Sequence, residues 1–269
     1  MNILILGDHM GPSGREAIIK KLPKLIKKKK LDFVIVNGEN AADPGIGITK
    51  KNTEEVFEDG TDVITTGNHV CDQKETMEFI TSEKRLLRPQ NLIESSPGVG
   101  TVSFISKNNK KVAVINLIGN IFMKKCEDVF EVAKKFIQTV KLKRDADFII
   151  VDLHGEITSE KMAMGYLFDG KDTMVVGTHT HVPTSDHRIM EKGTAYQTDI
   201  GMCGDYNSVI GMNRDNSLKK FFKDPSAKKH YPALGEATIS GLMVIADNET
   251  GLANIVEPIV LGKYLENRI

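Results

Sequence analysis

The sequence predicts an α/β fold built as one domain over residues 1–269. Short apolar runs alternate with amphipathic stretches, which is the rhythm of βα units. The last third turns mostly to strand-like runs, with room for a second sheet against the first. The chain holds 269 residues, 40% hydrophobic and 27% charged, enough to bury a sizeable core and far from a disordered composition. No internal repeat, low-complexity tract or linker marks a boundary.

Ile3–Leu6 reads as the first buried strand. Residues 14–30 read as a helix in spite of Pro23. Its end, Lys27–Lys30, suits the negative pole of the helix dipole and solvent rather than a nucleic acid. Phe33–Val36 is the second strand, 52–59 a helix, Val63–Thr65 the third strand and 74–80 another helix. Residues 89–110 are rich in Pro, Gly, Ser and Asn, with one strand-like piece at Val102–Ile105. Strands follow at Val112–Leu117, Phe148–Leu153 and Thr173–Val176, with helices at 127–141 and 158–168 between them. Beyond residue 185 the runs Thr194–Thr198, Thr238–Ala246 and Ala253–Leu261 are strands, around a long insertion at 201–235.

Composition excludes several roles. Lys plus Arg is 36 and Asp plus Glu is 36, so the formal charge is zero. A protein that coats nucleic acid or a polyanionic membrane face needs a basic excess, so no extended nucleic-acid surface is expected. Cys71, Cys126 and Cys203 are widely spaced, with neither a disulfide framework nor a zinc ribbon. A reducing, cytoplasmic setting is expected. Met1–Asp8 has no basic n-region and too short an apolar run for a signal peptide or a membrane span.

The informative residues stand just after strands. These are Gly7-Asp8, Asn37-Gly38-Glu39-Asn40, Gly67-Asn68-His69, His154-Gly155-Glu156 and Gly177-Thr178-His179-Thr180-His181. Ligand sites of open α/β sheets lie beyond the carboxyl ends of the strands. Four of the seven histidines fall at such ends, together with Asp8, Glu39, Asn40 and Asn68. A lone histidine there is more often structural; four with these carboxylates and amides point to a shared metal site. Mixed nitrogen and oxygen donors without thiolate suit Mn, Fe, Zn or Co rather than Ca. The donors are too many for one transition metal but suit two ions about 3.5–4 Å apart, with Glu39 able to bridge. Such a centre attracts anions and acidifies water, which fits phosphate ester hydrolysis.

These blocks resemble those of the calcineurin-like metallophosphoesterases in order and spacing: an early Asp, an acidic block, Gly-Asn-His, a later His and Gly-x-His-x-His. Met10 stands where the general family has a His, and Asn37-Gly38-Glu39-Asn40 replaces its Gly-Asp-x-x-Asp. Both features are those of a bacterial subgroup, the YmdB-like phosphodiesterases. The likeness to that subgroup covers essentially the whole chain and includes Arg88-Pro89-Gln90-Asn91, Thr158-Ser159-Glu160-Lys161 and Thr198-Asp199-Ile200-Gly201-Met202.

The resemblance implies a four-layer α/β/β/α sandwich, two mixed sheets face to face with helices outside. It implies a di-iron or di-manganese centre and hydrolysis of cyclic nucleotide phosphodiesters, notably 2′,3′-cyclic ones. It places Asp8, Glu39, Asn40 and His181 on one ion and Glu39, Asn68, His154 and His179 on the other. His69 is left free of metal as the acid that protonates the leaving oxygen after attack by metal-bound hydroxide. Val70-Cys71 and His9 depart from the subgroup's usual residues, without removing a ligand. Away from the blocks, His9 is expected to pack or to support the ligands, Cys71 to be a small buried residue, and Arg15, Arg88 and Asn91 to serve the surface. A phosphomonoesterase, or a metal-binding regulator with little turnover, is the competing reading. Association with further copies of the chain is left open.

Overall fold

The computed structural model describes residues 1–93 and 95–269; within the loop 89–110, Glu94 lies outside the described residues. The elements run β1 (Asn2–Leu6), β2 (Asp8–His9), α1 (Gly11–Lys29), β3 (Phe33–Asn37), α2 (Lys50–Glu58), β4 (Val63–Thr65) and α3 (Thr76–Phe79). There follow β5 (Thr101–Ile105), β6 (Lys111–Ile118), α4 (Val129–Thr139), β7 (Phe148–His154), α5 (Thr158–Phe168) and β8 (Met174–Thr178). The chain ends with β9 (Arg188–Ile189), β10 (Ala195–Gln197), β11 (Met202–Cys203), α6 (Arg214–Phe221), β12 (Ile239–Ala246) and β13 (Ala253–Leu261).

One sheet has the order β13-β12-β1-β3-β4, the other β5-β6-β7-β8-β10-β9, and β2 pairs with β11 as a small ribbon. Alternation along the strands sorts the core into three layers. Ile3, Ile5, Phe33 and Ile35 meet Val112, Val114, Phe148 and Ile150 between the sheets. Leu4, Leu6, Val34 and Val36 face Ile18 and Leu22 of α1 and Val56 of α2. Ile149, Val151 and Val175 face Ala133 and Phe136 of α4 and Met164 and Phe168 of α5. Both faces of each central strand are therefore apolar, which is why these segments read as unbroken runs. The four-layer sandwich is the architecture the family resemblance implies.

The differences have local causes. The first helix starts three residues earlier than 14, because Gly11 takes a left-handed turn (φ +56°) and Pro12 suits the first helical turn. The helix at 127–141 starts at Val129, after Asp128, whose carboxylate accepts from the N–H groups of Phe130 and Glu131, and ends at Thr139, where Val140 turns extended. The helix expected at 74–80 is a single turn. The insertion 201–235 contains α6, capped by Asn213. The C-terminal strands do not build a sheet of their own. β12 runs antiparallel to β1 and carries β13 with it into the first sheet, while β10 joins the second beside β8.

Among the described residues no helix is long and apolar enough to cross a membrane.

Candidate active site

The neighbouring pairs β1–β3, β3–β4, β6–β7 and β7–β8 are all parallel, so the residues that follow these strands emerge at matching edges. The edges of the two sheets meet. From the first sheet, Asp8 reaches across, and its Oδ2 accepts the backbone N–H of His179 at 3.1 Å. Its Oδ1 lies 3.6 Å from His181 Nε2 and 3.8 Å from His154 Nδ1. Glu39 accepts the N–H groups of Gly67 and His69, the latter at 2.6 Å, and its Oε1 is 3.5 Å from His154 Nε2. Asn40 Nδ2 is 3.1 Å from His181 Nε2, and His179 Nδ1 is 3.1 Å from His154 Nε2. Asp8, Glu39, Asn40, His154, His179 and His181 thus form one contiguous cluster. Asn68 and His69 are tied to it through the backbone that Glu39 holds.

Close approach needs glycine at one point above all. A Cβ on Gly67 would sit 2.1 Å from His154 Cδ2, so any other residue would push the imidazole away. His179 and His181 adopt left-handed backbone angles, φ +100° and +65°, uncommon for residues with a Cβ. Asp8 holds the first through its N–H. The second is held by His181 Nδ1, 2.7 Å from the Ile210 carbonyl. Strained backbone of this kind persists where surrounding structure determines it, often at functional sites.

The electrostatics are unbalanced in an informative way. Burial alone would raise Asp8, but the neighbouring His181 and His154 and the His179 N–H hold it well below the usual carboxylate range. Burial pushes Glu39 well above its ordinary value against the N–H groups of His69 and Gly67. Burial lowers His154, leaving it neutral with a lone pair to offer. Asp8 Oδ1 and Asn68 Oδ1 are buried without any hydrogen-bond partner. Buried oxygens are seldom left so, since each forgoes about 1–3 kcal/mol. Among the described residues, no three Asp, Glu, His or Cys side chains already surround one point as a coordination shell. The imidazoles bond to one another and to Asn40 instead. Two orphaned oxygens together with the carboxylates and the imidazoles of His154, His179 and His181 are nevertheless a donor set suited to hard or borderline cations.

His69 stands at the rim with its side chain about one-third exposed, and its Nδ1 is 2.6 Å from Asp72 Oδ2. Lys124 bridges to Asp72 Oδ1 at 3.4 Å and donates to the Asn68 carbonyl at 2.7 Å. Sequence reasoning missed Asp72, three residues past His69, and named Glu156 without giving it a role; its Oε2 is 3.1 Å from His179 Nε2. Glu156 had a signal, standing two residues after His154 at a strand end.

Three other expectations are corrected, those for Cys71, Arg88 and Asn91, while Arg15 and His9 stand as expected. Cys71 is exposed, not a small buried residue. Arg88 is buried and ties its own loop through the Pro89 carbonyl at 2.7 Å, and Asn91 is buried with its amide across the Ile118 backbone. Both are structural, because loop carbonyls need buried donors. Arg15 is an ion-pair residue, facing Asp43 and Glu55. His9 packs inside with neither ring nitrogen bonded.

Comparison with known proteins places the chain in a family. The profile of the YmdB-like protein family matches residues 4–259. The chain belongs to the YmdB-like family. It is 42% identical over 262 residues to the 2′,3′-cyclic-nucleotide 2′-phosphodiesterase of Bacillus subtilis, covering 97% of each chain. A crystal structure described as a novel phosphatase, from Mycoplasma pneumoniae, superposes on this YmdB-like chain with a TM-score of 0.89. It shares 38% identity and covers 97% of this chain and 93% of its own. A hypothetical protein from Thermus thermophilus gives 0.88 at 34% identity, over 97% and 99%.

Proposed function

We propose that this chain hydrolyses cyclic nucleotide phosphodiesters, 2′,3′-cyclic ones first, at a pair of transition-metal ions, iron or manganese. The chain is a phosphoric diester hydrolase by its place in the family and its likeness to a full-length phosphodiesterase. The finer reading rests on one observation above all. Strand ends from both sheets bring Asp8, Glu39, Asn40, His154, His179 and His181 into one cluster, in which Asp8 Oδ1 is unpartnered, and Asn68, on the turn that Glu39 holds, carries a second unpartnered oxygen.

Asp8, Glu39, Asn40 and His181 would hold one ion, and Glu39, Asn68, His154 and His179 the other. Two such ions supply adjacent positive charge and lower the pKa of water. The protein's own part is positional. Glu39 is fixed by two backbone N–H groups, so both of its oxygens keep their places. His69 is the group that delivers a proton to the leaving ribose oxygen. Asp72 accepts at Nδ1, which fixes the ring and leaves Nε2 as the nitrogen free to donate. Such a step is typically worth about 10²–10⁴ in rate.

The test is an assay of purified protein with Mn²⁺ on bis-p-nitrophenyl phosphate, p-nitrophenyl phosphate and 2′,3′-cyclic AMP, with metal content measured on the same sample. Preference for the diesters with two equivalents of metal is expected. Faster turnover of the monoester would make the protein a phosphomonoesterase. Metal binding without turnover would make it a regulator. His69→Ala is expected to keep both metals and lose most turnover; an active, metal-replete variant would remove His69 from the chemistry.

A further inference from the structure

We propose that Asp152 and Thr178 form a positioning relay that fixes which nitrogen of His154 is offered to a metal ion. The inference rests on the metal-dependent reading above.

Asp152 lies inside β7, in the apolar run Phe148–His154, and is fully buried. Its Oδ2 accepts from Asn37 Nδ2 at 3.0 Å and from Thr65 Oγ1 at 2.5 Å. Its Oδ1 accepts from Thr178 Oγ1 at 2.8 Å. Each donor is the last residue of its strand and leads toward the ligand candidates of one block. Asn37 leads into Gly38-Glu39-Asn40, Thr65 into the turn carrying Asn68 and His69, and Thr178 into His179. One carboxylate therefore ties together the ends of β3 and β4 from one sheet and β7 and β8 from the other.

The directions of the bonds in this network follow from one backbone group and from the carboxylate of Asp152, which accepts. The N–H of Glu39 can only donate, and it meets Asn37 Oδ1 at 3.0 Å. That fixes the Asn37 amide with its NH₂ toward Asp152, and also 3.3 Å from Thr178 Oγ1. Thr178 has one hydroxyl proton, and the carboxylate takes it. Its oxygen is left with two lone pairs. One accepts from Asn37; the other faces His154 Nδ1 at 3.0 Å. Nδ1 must then carry the proton. The lone pair of His154 is thereby on Nε2, the nitrogen that looks toward Glu39 Oε1 and His179 Nδ1. A carboxylate that orients a metal-binding imidazole directly is common; here a threonine hydroxyl stands between the two. Loss of such partners typically costs about 10–100-fold in metal affinity.

The experiment is a titration of metal-stripped full-length protein with Mn²⁺, with free Mn²⁺ read by electron paramagnetic resonance. Two tight equivalents are expected for the wild type. Thr178→Val keeps the shape and removes the hydroxyl. It should weaken one equivalent about 10–100-fold, while Thr178→Ser should restore it. Circular dichroism of the metal-free proteins checks the fold, and Thr178→Ala replaces the valine variant should that fail to fold. A folded Thr178→Val or Thr178→Ala protein with wild-type affinity for both ions would overturn the relay. A Ser variant as weak as the Val variant would do the same. A wild type that takes up no Mn²⁺ would instead remove the metal-dependent reading on which the relay rests.

Discussion

Lys161 on α5 is 1% exposed, and its ammonium donates to Asp199 Oδ2 at 2.8 Å. That same oxygen accepts the N–H of Thr180, between His179 and His181, and Oδ1 accepts the N–H of Gly201. Lys161→Met keeps most of the side-chain volume and removes the charge. Breaking one partner out of a buried pair costs about 3–5 kcal/mol, because a carboxylate is left buried without compensation. At about 2–4 °C per kcal/mol for a chain of this size, the melting temperature at pH 8 should fall by about 6–20 °C. Burial already raises Asp199, with Lys161 pulling it down, so removing the lysine lifts the carboxyl further above its unfolded value near 3.9. Over that span the folded state binds more protons than the unfolded one, and stability falls as pH rises. The deficit should therefore be small near pH 4 and large at pH 8. Asp199→Asn added to Lys161→Met should recover most of the loss. A melting point within about 2 °C of wild type at pH 8, or a deficit equal at both pH values, would refute the assignment of the energy to this pair.

Four further outcomes are expected. Asp172 is driven well above its ordinary value by burial, with Oδ2 unpartnered, so Asp172→Asn should gain stability relative to wild type as pH rises from 4 to 8 in urea melts; parallel profiles would contradict this. Gly67→Ala places a Cβ against the His154 ring and should lose activity with little change in helix content by circular dichroism. Asp72→Asn should lower kcat by about 10-fold or more with KM nearly unchanged if His69 is the proposed acid, since Asp72 holds that ring and not the substrate; a change in KM alone would argue against that role. Chelation should abolish turnover and Mn²⁺ restore it; activity undiminished after dialysis against EDTA would count against metal dependence.

Much of the site is legible in the sequence because parallel strands deliver their following residues to one edge. That rule alone gathers Asp8, Glu39, Asn40, His154, His179 and His181, and the structure brings them into contact. The residues that hold them are harder to see. Asp152 interrupts an apolar strand, a signal that a buried polar partner is needed. The identity of its partners depends on register between strands far apart in sequence. Asp72 is near His69 in the chain, but only the turn that folds it back reveals the contact. The place of β12 is unreadable for the same reason. An apolar run reports that it is buried, not which neighbour it finds, and β12 finds β1 from the opposite end of the chain.

That pairing bears on how the protein is made. β1 occupies the middle of its sheet, flanked by β3 and β12. As the chain leaves the ribosome, one flank of β1 is available early, and the other is synthesised only near the end. Until then its unpaired edge is open to the wrong strand, its own or a neighbour's. The candidate site, whose first residue Asp8 stands two residues past that strand, is thus among the last parts of the molecule to become permanent.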